Sequence, residues 1–418
     1  MTGDPTPSSD PLGYLALRKF SQRLPRCPRT RLPVSYADIG DPDGIPVLWM
    51  LPSGCSRWIG APQDPLAKRY GIRLILVDRP GVGATPSVDL ADRIDISCKM
   101  IVSVLEHLNV RPAHMIVTSA GIYYALHLLL NYPETFHSGL TPPPSLYLVA
   151  PWSPLLPADH PDYYPSYFTW IPSPVIATQH ITLPQLMKLA KTGTSLWNTG
   201  LKTLWSTLDS ARSMIGGTTQ TSAGGSAHGA SPDHVHDSGL DLGGESGAVP
   251  SAAVPMSVDG VEYKQGEPSS EVAESSEGSG MWGRFPCCIS CTTTDYFQAE
   301  NFSGVGQEHL ICLNRGPVDT GHIWLEQTIT TLATKLQTAG MDRPGTEKGL
   351  PLIDVDVWWG WEDNMVPRKG QLWFNKTLGR YPREMRLKVH DVPDGDHTDL
   401  LSRTDGIYEV YDLIRERG

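Results

Sequence analysis

The stretch Ala113-His-Met-Ile-Val-Thr-Ser119-Ala-Gly121-Ile-Tyr-Tyr-Ala-Leu-His-Leu-Leu-Leu130 joins two runs of different character through one serine. Residues 113–118 are apolar and partly β-branched, the pattern of a buried strand. Residues 122–130 read as a helix, stopped by Asn131-Tyr-Pro133. A serine wedged between them, with Gly121 two residues later, predicts a tight turn that lifts the hydroxyl clear of a sheet and leaves a backbone N–H beside it. A serine at such a junction can also serve simply as a helix cap, so the remainder of the chain must decide.

Working outward, short apolar runs alternate with helical patterns. Val47–Leu51, Ile72–Asp78, Ala113–Thr118, Ser145–Ala150 and Asp354–Trp359 read as buried parallel strands, and the more alternating Met385–His390 suits a sheet edge. Between them, Ile94–Leu108 carries apolar residues at helical spacing. Strand and helix in alternation predict an α/β fold, a mostly parallel sheet covered by helices on both faces.

Two segments interrupt this rhythm. Residues from Pro151 to about Arg212 are rich in proline and aromatics, then turn helical, with Trp197, Leu201, Leu204, Trp205 and Leu208 as an apolar stripe. That stripe is either a buried face or the wall of a lipophilic pocket; Lys191, Lys202 and Arg212 supply too little positive charge for a membrane-surface helix. Residues 216–280 are dominated by Gly, Ser, Ala and acidic side chains, a composition that predicts disorder. His228, His234 and His236 within it read as solvated, and Cys287-Cys-Ile-Ser-Cys291 lacks the second cysteine pair of a structural zinc site.

The net charge of −11 over 418 residues is concentrated in the same place. Residues 213–280 hold ten acidic side chains and one lysine, so the remainder of the chain carries only −2. No basic face points to nucleic acid. Seven cysteines without repeated spacing argue against a secreted disulfide framework. The polar, Pro-rich start lacks a signal peptide's apolar region, and no run reaches the length of a spanning helix. A reduced, cytoplasmic protein is the expectation.

Two further loops supply chemistry to match the serine. Gly360-Trp-Glu-Asp363-Asn-Met-Val-Pro367 places an acid just past a predicted strand, before helix-like residues 368–378. Asp391-Val-Pro-Asp-Gly395-Asp-His397 places a histidine in a loop after the last strand. A serine hydroxyl becomes a useful nucleophile when an imidazole removes its proton, while a carboxylate fixes the imidazole tautomer. Ser119, Asp363 and His397 are therefore the candidate catalytic residues; Asp356 and Glu362 are competing acids, and His390 is a competing base. Asp78 is expected to brace its loop. The developing oxyanion requires N–H donors held in place beforehand. Ala120 would give one, and the loop after the Val47–Leu51 strand the other; Pro52 has no N–H, so the donor falls to Ser53 or Gly54.

Together these segments resemble the α/β-hydrolase superfamily over about residues 33–155 and 295–415. Val117-Thr-Ser119-Ala-Gly121 is similar to its nucleophile elbow, Asp78-Arg-Pro-Gly81-Val-Gly83 to its D-x-x-G-x-G loop, and Gly360–Pro367 and Gly395–His397 to its acid and histidine motifs. Tyr36–Gly44 is similar to the opening hairpin of fungal members, and Ala299–Asn301 and Leu310–Leu313 resemble the same group. Val117 stands where the elbow usually has glycine, Thr118 where histidine is frequent, and Leu51-Pro52 where the oxyanion loop usually starts His-Gly.

The resemblance implies a hydrolase core at 33–151 and 311–418 behind an N-terminal extension (1–32), with an inserted helical cap at 152–310 that contains the acidic loop at 216–280. It implies a serine hydrolase that cleaves a small-molecule ester through an acyl-enzyme. Trp197, Leu201 and Trp205 are candidate lining of the acyl pocket. No metal or organic cofactor is implied, and the expected partner is a small-molecule ester. The alternative is a non-catalytic binding or regulatory protein on the same fold.

Overall fold

A computed structural model describes residues 5–136, 145–181, 293, 296, 299–341 and 353–418. In chain order its elements are α1 (Pro11–Leu15), β1 (Gln22–Leu24), β2 (Val34–Gly40), β3 (Ile45–Met50), α2 (Asp64–Arg69), β4 (Ile72–Val77), α3 (Arg93–Leu108), β5 (His114–Thr118), α4 (Gly121–Asn131) and β6 (Ser145–Val149). They continue with α5 (Ser173–Ala177), α6 (Val305–Cys312), α7 (His322–Met341), β7 (Ile353–Gly360), α8 (Arg368–Leu378), β8 (Met385–Val392) and α9 (Glu409–Arg417).

The strands form one eight-stranded sheet in the order β1-β2-β4-β3-β5-β6-β7-β8. From β4 through β8 every neighbouring pair is parallel, whereas β2 runs antiparallel to β4 and β1 antiparallel to β2. Successive residues of the central strands feed opposite faces, as the pleat requires. Leu48 and Met50 enter the core under α3, α4, α7 and α8, while Val47 and Trp49 enter the core under α2 and α9. Burial on both faces is why these strands read as unbroken apolar runs in the sequence. α3 ends where Asn109 adopts a left-handed conformation (φ 53°) that caps the last turn.

Three sequence expectations change. Tyr36–Gly44 does not open a hairpin: β2 pairs with β4, and the turn at Asp41–Gly44 leads into β3 on the far side of β4. Within the expected extension, the described residues 5–32 join the core: Tyr14, Leu15 and Phe20 are buried under α2 and α9, and β1 extends the sheet. Residues 299–310, assigned to the insertion, bond directly to the core loops. Gly304 N–H donates to Gly81 O (2.9 Å), and Gly83 N–H to Asn301 O (3.0 Å). The acidic loop at 216–280, the stripe at Trp197, Leu201 and Trp205, and Cys287-Cys288-Cys291 lie outside the described residues. No helix among the described residues is long and apolar enough to cross a membrane.

β7 and β8 end together, and the loops that leave them are locked. Glu362 N–H donates to Gly395 O (3.0 Å), and a Cβ on Gly360 would lie 2.3 Å from that same carbonyl oxygen. Gly360→Ala is expected to force the two loops apart at a cost of about 1–3 kcal/mol, read as a lower urea midpoint with unchanged slope.

Candidate active site

The turn after β5 is as tight as its sequence implies. Ser119 holds φ 47°, a left-handed conformation rare for residues other than glycine, and is 3 % exposed. Gly121 opens α4 against the end of β3; a Cβ there would lie 2.6 Å from Met50 O and 3.1 Å from Leu51 O. Glycine is thus required by close backbone approach, and that approach brings the loop after β3 beside the serine. Val117 is accommodated because it remains a strand residue whose side chain is fully buried in the α3–α4 core. Thr118 points to the other face and accepts a hydrogen bond from Trp49 Nε1 (2.8 Å).

The three residues predicted to act together meet at the carboxyl ends of β5, β7 and β8. His397 Nε2 lies 2.9 Å from Ser119 Oγ, and His397 Nδ1 lies 2.7 Å from Asp363 Oδ2. The other carboxylate oxygen, Oδ1, accepts the N–H groups of Met365 and Val366, both at 2.8 Å. These donors fix the carboxylate's orientation. In the tautomer protonated at Nδ1, that N–H donates to Oδ2 and Nε2 is free to accept from the serine hydroxyl. Tyr164, buried and with an unpartnered hydroxyl, lies within range of Asp363; burial first, then that carboxylate, pushes its phenol above the ordinary value.

The competing residues have other employment. Asp356 lies on the opposite face of β7, where Oδ1 meets His390 Nε2 (3.0 Å) and Oδ2 accepts from Arg417 (2.7 Å) at the end of α9. His390 stacks on Trp358 with ring centroids 4.1 Å apart. The two weaker candidates therefore pair with each other, away from Ser119. Glu362 is exposed. Asp78 braces its loop as expected. Its carboxylate accepts from Ser35 Oγ (2.6 Å) and from Arg57 N (2.7 Å) and Arg57 Nη1 (2.5 Å), while Gly81 and Gly83 take positive φ.

Of the two loop donors considered, Gly54 is engaged elsewhere: its N–H donates to Glu308 Oε2 (3.1 Å). Glu308 is 1 % exposed and lies between Arg79 (2.6 Å) and Arg93 (2.8 Å). Burial opposes its charge, but the two guanidinium groups outweigh burial and hold its carboxyl below the ordinary value. The next residue, His309, sets Nε2 3.2 Å from Ser53 Oγ. Sequence reading missed Arg79, Glu308 and His309 as neighbours of the site. Arg79 was visible inside the Asp78–Gly83 loop, but nothing in the sequence pairs it with a glutamate 229 positions later.

No family model matches the chain. It is 33 % identical over 108 residues to a 2-hydroxy-6-oxononadienedioate/2-hydroxy-6-oxononatrienedioate hydrolase of Paraburkholderia phymatum, covering 25 % of this chain and 38 % of that protein. The Escherichia coli protein of the same description is 33 % identical over 84 residues, covering 19 % and 29 %. The chain thus matches well under half the length of these relatives. Among solved structures, a bromoperoxidase from Bacillus anthracis aligns with TM-score 0.49 at 13 % identity, over 95 % of this chain and 99 % of that one. An esterase from Exiguobacterium antarcticum aligns with TM-score 0.46 at 12 % identity, over 92 % and 96 %.

The strand order, the crossing of β3 and β4, and the serine turn between β5 and α4 define the α/β-hydrolase fold.

Asp356 makes a stability prediction separate from the chemistry. Burial opposes its charge, but the His390 and Arg417 hydrogen bonds outweigh burial and lower its carboxyl below the ordinary value near 3.8. A lowered folded-state value stabilises the fold above the unfolded value and loses that contribution as pH falls through the folded one. Asp356→Asn should therefore cost about 1–3 kcal/mol at pH 7. The gap in urea stability from wild type should narrow as pH falls below 4, with hydrolysis rates little changed.

Proposed function

We propose that this protein is a serine hydrolase that cleaves a small-molecule ester through Ser119, His397 and Asp363. The observation that carries the reading is the continuous hydrogen-bonded chain from Asp363 through the imidazole to a serine held at positive φ. In the proposed cycle Ser119 Oγ attacks the substrate carbonyl while Nε2 of His397 takes its proton. The imidazolium then protonates the leaving alcohol, which departs and leaves an acyl-enzyme. Water, deprotonated by the same Nε2, attacks the acyl carbon and restores the serine. Asp363 keeps the tautomer and stabilises the imidazolium without itself taking the proton.

The oxyanion formed at each stage would be held by N–H groups of Ala120 and of the loop after β3. Ala120 is the N-cap residue of α4, so its N–H is one of those a helix start leaves without an intrahelical partner. On the loop side Ser53 is the donor carried forward, because the Gly54 N–H is directed at Glu308. The curated relatives are hydrolases of dienedioates and trienedioates by their descriptions; the matched segment is too short a share of them to transfer that substrate. An apolar acyl or aryl group fits the Trp- and Leu-rich insertion better as a class. The alternative, a non-catalytic binding or regulatory protein, draws support from Val117 and Leu51-Pro52. The assembled hydrogen-bond chain favours catalysis, since binding alone places no demand on all three groups.

A fluorophosphonate probe should label the intact protein at Ser119 and fail on Ser119→Ala; no labelling of the wild type would favour the non-catalytic reading. Ser119→Ala and His397→Ala should each lower kcat for an ester such as p-nitrophenyl butyrate by a factor on the order of 10⁶, and the double variant little further. Asp363→Asn should lower kcat by about 10⁴-fold while the melting curve stays cooperative. Normal turnover in Asp363→Asn would remove Asp363 from the mechanism.

A further inference from the structure

The loop after β3 is gripped from behind by charges that the sequence scatters over three segments. Arg79 donates through Nη1 to Leu51 O (2.7 Å) and through Nη2 to Pro52 O (2.5 Å). The same Nη2 lies 2.9 Å from Glu308 Oε2, and Nε lies 2.6 Å from Glu308 Oε1. Glu308 in turn takes Arg93 on Oε1 and the Gly54 N–H on Oε2. Arg79, Arg93 and Glu308 are each at most 3 % exposed, so the three charges themselves are little screened by water.

This arrangement fixes the direction of two successive peptide units. A trans peptide is planar, with its C=O and N–H on opposite edges. Because Pro52 C=O is turned onto the Arg79 guanidinium, the Ser53 N–H of the same peptide faces away from the charge cluster. The next peptide plane, Ser53–Gly54, is turned the other way, with the Gly54 N–H on Glu308 Oε2, and the chain bends at Gly54 (φ 70°). Two neighbouring amides thus diverge, one directed into the cluster and one away from it. The loop begins against the serine turn, where Gly121 abuts Met50 O and Leu51 O.

We infer that Arg79, braced by Glu308 from α6, is a positioning residue that aims the Ser53 N–H at the substrate oxyanion, acting through the Pro52–Ser53 peptide. The inference rests on the hydrolase reading above and adds the choice between Ser53 and Gly54 and the device that makes it. The guanidinium at the carbonyl end also polarises that peptide, which strengthens its N–H as a donor where negative charge develops. Arginine is required because one planar fork must reach two carbonyls and a carboxylate together. A lysine keeps the charge and loses that geometry.

Two experiments test this. In the first, the wild-type protein is converted to its phosphonate adduct at Ser119, and backbone amide resonances are compared with the free protein. The Ser53 amide proton should move strongly downfield while the Gly54 amide stays near its free position. The reverse pattern would overturn the inference and leave the hydrolase reading intact. Failure of the wild type to form an adduct would overturn both. In the second, Arg79→Lys and Glu308→Gln are assayed beside wild type, with melting curves. Each should lower kcat by about tenfold or more, with KM changed far less. Affinity for a trifluoromethyl ketone inhibitor should fall by the same factor as kcat/KM. Folded variants that keep wild-type kcat and inhibitor affinity would overturn the inference. If both unfold, the amide pattern of the wild-type adduct decides alone.

Discussion

The close approach of α4 to the end of β3 is the constraint on which the site depends. Gly121 lets the helix start within contact distance of Met50 O and Leu51 O, nearer than any side chain permits. Ser119 then has no room to continue the strand and takes φ 47°, which turns its hydroxyl out of the sheet. The same contact sets the loop after β3 beside the hydroxyl. Left-handed backbone at a serine costs free energy, and it persists because the buried strand on one side and the buried helix on the other over-determine it.

Around that turn, the parallel sheet does the assembling. Strands β5, β7 and β8 all run the same way, so the loops that follow them emerge at one edge. Asp363 and His397 are 34 positions apart yet meet, because β7 and β8 are paired along their full length and Gly360 packs against Gly395. Asp356 and His390 meet for the same reason within the strands, His390 lying opposite Trp358, two residues along β7 from Asp356. Their position in mid-strand points them at α9 rather than at the serine. Two acid–histidine pairs on the same two strands thus have different uses, and only distance from the strand ends separates them.

The interior charges follow a common logic. Asp78 with Arg57, and Glu308 with Arg79 and Arg93, are buried ion pairs that also hydrogen-bond loop backbone. Such pairs contribute little net stability once desolvation is counted, but removing one partner leaves an uncompensated charge. Their physical use here is to hold irregular loops in one conformation, including the loop that borders the serine. α6 lies more than 120 residues after β6 in sequence, yet its Glu308 is part of that structure.

The sequence by itself determined strands β3 to β8, the serine turn and the order Ser119, Asp363, His397, because each is written in local patterns. Buried parallel strands show as unbroken apolar runs, a strand–Ser–x-Gly–helix junction shows as a change of period, and the site loops carry glycines near their reactive residues. Residues 368–378 were legible as a helix for the same reason. Only the tertiary structure decided that β2 crosses to pair with β4, since turn chemistry at Asp41–Gly44 suits a hairpin and a crossover equally. It alone showed Tyr14, Leu15 and Phe20 to be core residues, because a short polar-flanked segment has no period to read. It alone placed Asp363 beside His397 and Asp356 beside His390, and set the Gly54 N–H on Glu308. Those choices depend on a hydrogen bond to His397 from one aspartate and not the other, and on a carboxylate from the far side of the chain, contacts that no local pattern encodes.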